Sequence, residues 1–265
     1  MPLAADSPAR PAPLAWEFAA LTDTGKVRAN NEDAIAFDPA LGLAVLADGM
    51  GGYNGGEVAS GMAIALLQAS FGRWLAHAGH AAPLRAMKRA LQASTDEANR
   101  AIYEASTGNE QLRGMGTTLV VAAFGPGRVL VGHIGDSRCY RLRGGRLELL
   151  TRDHSLLQAQ LDAGIITPEQ AAVSPHRNLV TRALGIESQV ELEMNEHPAE
   201  PDDLFLLCSD GLSETVGDAH LFTLLLQDTT LAQKATLLVS FANDNGGWDN
   251  VSVVLARASR GAPAA

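Results

Sequence analysis

The chain has 265 residues, long enough to bury a substantial core, and 46% of them are hydrophobic, which excludes a disordered or fibrous protein. Thirty Asp and Glu stand against 20 Lys and Arg, a net charge of −10, and such a chain repels the phosphates of nucleic acid, which is not an expected partner. Cys139 and Cys208 lie far apart without a C-x-x-C pair, so neither a disulfide framework nor a zinc knuckle is expected, and both read as core thiols. No apolar run approaches the roughly 18 residues of a membrane span, and the Pro- and Ala-rich start lacks a signal-peptide core. The expected location is the cytoplasm.

Residues 1–14 and 258–265 are expected to be flexible tails around a single domain, 15–257. Strands are predicted over 16–22, 33–37 and 43–47. Helical spacing of apolar residues follows over 56–76 and 82–106. Strands return over 117–124, 129–134, 137–143 and 146–150, with Gly125-Pro126-Gly127 and Gly144-Gly145 as turns. Residues 151–188 read as helical fragments broken by Gly164, Pro168 and Pro175. Within them Thr167-Pro168-Glu169-Gln170 is a helix start. Two strands (190–197, 203–208), two helices (218–227, 231–243) and a last strand (250–257) complete the chain. Runs of strands alternating with helix pairs point to an α+β fold rather than a βαβ repeat.

Aspartates recur at strand ends, most beside glycine. Asp33 follows Asn31-Glu32. Asp48 ends an apolar run and precedes Gly49-Met50-Gly51-Gly52. Asp136 follows VLVGHIG, Asp210 follows DLFLLCS, and Asp249 follows Gly246-Gly247-Trp248. Carboxylates gathered at one sheet edge repel one another, and divalent cations relieve that repulsion. Oxygen donors without a matching His or Cys set select hard metals, Mg²⁺ or Mn²⁺. Arg28, four residues before Glu32, is placed to bind a phosphate through its guanidinium. His133 reads as a core histidine, Thr117 and Thr118 as packing near the site, and Trp248 as a packing residue. Glycines 51, 52, 55 and 56 read as a turn into a helix, since no nucleotide-binding loop pattern is present.

Taken in order, these motifs resemble the bacterial branch of the PP2C (PPM) metal-dependent serine/threonine protein phosphatases. The matching segments are Thr22-Asp23-Thr24-Gly25 through Ala34, Val45-Leu46-Ala47-Asp48-Gly49-Met50-Gly51-Gly52, and Gly114-Met115-Gly116-Thr117-Thr118-Leu119. They continue with Gly132-His133-Ile134-Gly135-Asp136-Ser137-Arg138, Thr151-Arg152-Asp153-His154-Ser155, Cys208-Ser209-Asp210-Gly211-Leu212 and Trp248-Asp249-Asn250-Val251-Ser252. The resemblance implies a four-layer α-β-β-α sandwich, two antiparallel sheets flanked by helix pairs, with two Mn²⁺ or Mg²⁺ ions at one edge and room for a third. It implies that Asp48 bridges the two metals, that the Gly49 carbonyl binds one, and that Asp210 and Asp249 complete the other's shell. Glu32 would hold a metal-bound water, Asp33 would sit beside the nucleophilic water, Arg28 would bind the substrate phosphate, and Asp136 with Asp210 would form the third site.

By the same resemblance, a hydroxide bridging the metals attacks phosphoserine or phosphothreonine, and the substrates are phosphorylated proteins made by a bacterial Ser/Thr kinase. A monomer is expected. Residues 153–187 match a flap beside the active site. Animal members carry a histidine where this chain has Met50, and a thioether cannot donate a proton; a metal-bound water or His154 is left as the general acid, or Asp153-His154-Ser155 anchors the flap. Three rival readings are a serine hydrolase built on Gly135-Asp136-Ser137, a catalytically weak PP2C-like scaffold, and a phosphatase of an anti-sigma-factor antagonist. The first lacks the late Asp-x-x-His pair it needs, and the second lacks the usual loss of metal ligands.

Overall fold

The structure is a computed structural model that describes residues 14–52, 55–172, 174 and 179–261. The tail segments 1–13 and 262–265 lie outside the described residues.

In chain order the elements are β1 (Leu14–Asp23), β2 (Asp33–Asp38), β3 (Leu43–Met50), α1 (Gly55–Leu67), α2 (Arg73–Ala78), α3 (Leu84–Gly108), β4 (Gly116–Thr117), β5 (Leu119–Phe124), β6 (Arg128–Ile134), β7 (Arg138–Arg143) and β8 (Arg146–Leu149). They continue with α4 (Leu156–Asp162), α5 (Pro168–Ala172), β9 (Glu193–Pro198), β10 (Leu204–Cys208), α6 (Asp210–Ser213), α7 (Asp218–Leu225), α8 (Leu231–Asp244) and β11 (Val251–Arg260). One sheet has the order β1-β11-β10-β7-β8 and the other β2-β3-β5-β6-β9, with β4 paired to β3. Every pairing is antiparallel.

Strand alternation sorts the side chains into three cores. Leu43, Val45 and Ala47 of β3 pack with α1 and α3, while Ala44 and Leu46 face the second sheet. Leu204, Leu206 and Cys208 of β10 pack with α7 and α8, while Phe205 and Leu207 turn inward between the sheets. Central strands are thus buried on both faces, which is why β5 (LVVAAF) and β10 (LFLLC) read as unbroken apolar runs. The inter-sheet layer is sealed by Phe124, whose ring lies 4.8 Å from Trp16, 5.4 Å from Phe18 and 5.5 Å from Phe205. The α-β-β-α sandwich is therefore the architecture, as expected.

The structure departs from the sequence expectation at several points; besides Leu14, which opens β1 instead of closing a tail, and the strand expected over 190–197, which starts only at Glu193, four concern whole elements. The helix expected over 56–76 ends at Leu67, passes through a π-helical turn at Gln68–Gly72, and resumes as α2 up to Gly79 at φ +66°. The strand expected over 117–124 is split at Thr118, whose backbone N–H and side chain both turn to Asp48. The short α6 was not expected, because four residues carry no readable period. Finally, 258–260 are not a loose tail: β11 pairs with the whole of β1, from Asp23↔Val251 to Leu14↔Arg260.

Candidate metal and phosphate site

The carboxylates meet where the two sheets end side by side. Antiparallel pairing of β2 with β3 sets Asp33 directly opposite Asp48. Asp48 is held from below: its N–H donates to Thr118 Oγ1 (3.0 Å), and its carbonyl accepts from Thr117 Oγ1 (2.8 Å) and the Thr118 N–H (2.8 Å). Thr118 Oγ1 is tied in turn to Ser137 Oγ at 2.8 Å. From the other sheet, Asp210 opens α6 immediately after β10, and Asp249 precedes β11.

Close backbone packing at the site requires glycine at two positions. A Cβ on Gly49 would stand 2.1 Å from the Gly56 carbonyl oxygen, and one on Gly211 would stand 2.0 Å from that of Asn250. Asn250 joins the loops: its Oδ1 accepts from the Glu32 N–H (2.8 Å), and its Nδ2 donates to the carbonyls of Thr24 and Asn30, both at 2.9 Å.

Arg28, Glu32, Asp48, Gly49, Asp136, Asp210 and Asp249 line one cleft of about 220 Å³, together with Met50. Asp33 stands behind it, accepting a 2.8 Å hydrogen bond from Ser209 Oγ. Arg28 Nη2 donates to Asp249 Oδ2 at 2.7 Å, leaving its other donors for an anion. The Glu32 carboxylate rests against the first turn of α1, accepting from the Gly56 N–H.

The electrostatics are those of crowded carboxylates. Desolvation, then the charges of Asp210 and Asp249, push Asp33 up to about 7. Desolvation, then the charges of Asp210 and Asp153, push Asp136 up to about 7. Desolvation also raises Asp48 well above the usual carboxylate range, reinforced by Asp33, Asp210 and Asp136, and it raises Asp210, reinforced by Asp249. A donor set of converging hard oxygens that must hold protons to coexist fits Mg²⁺ or Mn²⁺, because a cation replaces those protons and removes the repulsion.

His154 does not line this cleft. Its Nδ1 accepts from the Gly135 N–H (3.2 Å), and its Nε2 lies 3.3 Å from Glu193 Oε2. Its backbone accepts from the Thr181 N–H and donates to the Gly135 carbonyl. Asp153 next to it receives a forked pair from Arg138, at 3.0 and 2.7 Å. Asp153-His154-Ser155 thus ties the 153–187 segment to β6 and β7. His133, His154 and Glu193 also form a group with donor atoms within 4.8 Å of one another. The two imidazoles are stacked 16° from parallel, so their lone pairs do not converge, and His133 Nε2 is engaged by the Arg152 carbonyl at 2.8 Å.

Sequence reasoning left the supporting residues without roles. Ser209 and Asn250 lie inside the quoted motifs, and their places beside Asp210 and Asp249 were the available signal. Trp248 is not a packing residue: it is 67% exposed.

Comparison with known proteins identifies the family. The protein phosphatase 2C family model matches residues 25–245. The serine/threonine phosphatase Stp of Listeria innocua is 37% identical over 237 residues, 88% of this chain and 92% of Stp. The crystal structure of the Mycobacterium tuberculosis phosphatase PstP/Ppp superimposes with a TM-score of 0.82 at 41% identity, covering 91% of this chain and 98% of that one. The PstP catalytic domain solved with two manganese ions superimposes with a TM-score of 0.80 at 39% identity, covering 93% and 99%. Among the described residues no helix is long and apolar enough to cross a membrane. A sandwich that gathers its carboxylates around one arginine, and matches these relatives over nearly its whole length, belongs to the protein phosphatase 2C family: the chain is a Mn²⁺/Mg²⁺-dependent serine/threonine phosphatase acting on phosphoproteins.

Proposed function

We propose that the cleft bounded by Asp48, Asp210, Asp249 and Arg28 is where phosphoserine and phosphothreonine are hydrolysed. In this reading Asp48 would bridge two cations, the Gly49 carbonyl would add to one shell, and Asp210 and Asp249 to the other; Asp136 with Asp210 would offer a third position. When bound, such cations supply Lewis acidity and an acidified water at neutral pH. The remaining work belongs to the chain. Arg28 would grip the phosphate with the donors its Asp249 contact leaves over. Glu32, braced on α1, would hold a water at the cleft floor. Asp33, oriented by Ser209, would hydrogen-bond the attacking water so that it approaches phosphorus in line. No side-chain nucleophile is required, and Ser137, fully committed to Thr118 within the core, is not one.

The observation that carries this reading is the convergence of Asp48, Asp136, Asp210 and Asp249 in one cleft that also holds a half-exposed arginine. We further propose that the enzyme acts as a cytoplasmic monomer opposite a Ser/Thr kinase, since its substrates must be made by one. Hydrolysis of p-nitrophenyl phosphate and of a phosphothreonine peptide in Mn²⁺ tests the assignment. Activity should vanish in EDTA and fall at least about a hundredfold in Asp210→Asn and Asp249→Asn; either variant at full rate would overturn it.

A further inference from the structure

Trp248 is large, apolar and 67% exposed, yet it is held in place. Its loop is fixed by backbone hydrogen bonds to the end of α8, from Gly246 to the Asn243 carbonyl (3.1 Å) and from Gly247 to that of Ala242 (3.2 Å), and Gly247 accepts from the Lys26 N–H (2.8 Å). The indole lies directly on Gly246: a Cβ there would stand 2.1 Å from Trp248 Nε1, and φ of +126° at that residue favours glycine as well. The loop therefore presents an aromatic face to solvent without gaining the burial that normally stabilises a tryptophan. That face lines an open cleft of about 390 Å³ with Arg28, Asp249 and Glu214, so it adjoins the position assigned to the substrate phosphate.

We propose that Trp248 is a specificity-determining residue that receives a cationic side chain flanking the phosphorylated residue. An indole face attracts arginine or lysine through its quadrupole, and the cleft beside it is lined with carboxylates, Asp210, Asp249 and Glu214. The net charge of −10 adds a long-range term of the same sign. The inference rests on the reading of Arg28 as the phosphate-binding residue.

The test compares kcat/KM in Mn²⁺ for a phosphothreonine peptide with arginines on both sides and for the same peptide with alanines. The wild type should favour the arginine peptide. Trp248→Ala should cut that ratio about tenfold, mainly through KM, with Trp248→Phe restoring part of it. A ratio unchanged in Trp248→Ala, with both peptides still hydrolysed, overturns the role of Trp248 alone. A wild type that hydrolyses neither peptide overturns the phosphatase site and this inference with it. An equal loss on both peptides assigns Trp248 to loop structure and also refutes the proposal.

Discussion

Raising the pH should weaken the metal-free protein and strengthen its grip on Mn²⁺. Asp33 and Asp136 both stand at about 7 in the folded chain, against about 3.9 for a free aspartate. A carboxyl raised in this way keeps its proton in the folded state when the unfolded chain has released it. Its contribution to stability is thus fully present below about pH 4 and is lost as pH climbs through 7. Metal reverses the sign, because the cation displaces those protons. Below pH 7 at least one proton leaves per cation bound, so the apparent Kd for Mn²⁺ should fall at least about tenfold for each pH unit gained between 5.5 and 6.5. Isothermal titration with Mn²⁺ at half-unit pH steps, repeated in two buffers of different ionisation enthalpy, counts the protons directly. Thermal melts with and without metal should diverge over the same range. An affinity independent of pH, with no proton release, would show that the carboxyls do not take up the cation.

Gly211→Ala forces a Cβ to within 2.0 Å of the Asn250 carbonyl and should cost at least about 3 kcal/mol, read as lost Tm, with activity falling too; an unchanged Tm would contradict the packing described. Arg138→Ala removes the fork on Asp153, whose side chain is largely buried, and should cost about 1–3 kcal/mol. Hydrogen exchange across 153–187 should accelerate more than exchange in β5 if that contact anchors the segment. Thr230→Ala breaks the capping box with Gln233 at the start of α8 and should lower stability by about 1 kcal/mol, roughly 2–4 °C in Tm, while leaving kcat/KM as it was.

Much of the fold and of the site is legible in the sequence, for physical reasons. Asp48, Asp210 and Asp249 are legible because each adjoins an apolar run that reads as a strand, Asp48 and Asp210 near its end and Asp249 just before its start. The α+β class is legible in the runs of strands alternating with helix pairs, whereas the sandwich is implied by the family resemblance; unbroken apolar strands such as LFLLC fit it because they are covered on both faces. Contacts across the chain could not be read. Nothing in the spacing says that Asn250 holds the loop between β1 and β2 at three points more than 200 residues away, or that Ser209 reaches Asp33. The extension of β11 to Arg260 was hidden because ASR carries no strand signal; pairing with β1 overrides it. Trp248 was misread because residue type alone predicts burial, whereas a glycine-supported loop can hold an indole in the open.

The central claim is that these aspartates form a site for two divalent cations at the sheet edge. Crystals grown with Mn²⁺, with anomalous scattering recorded at the manganese edge, test it most directly. The account predicts two strong peaks between Asp48, the Gly49 carbonyl, Asp210 and Asp249. Peaks confined to His133, His154 and Glu193, or none within the cleft, would contradict it.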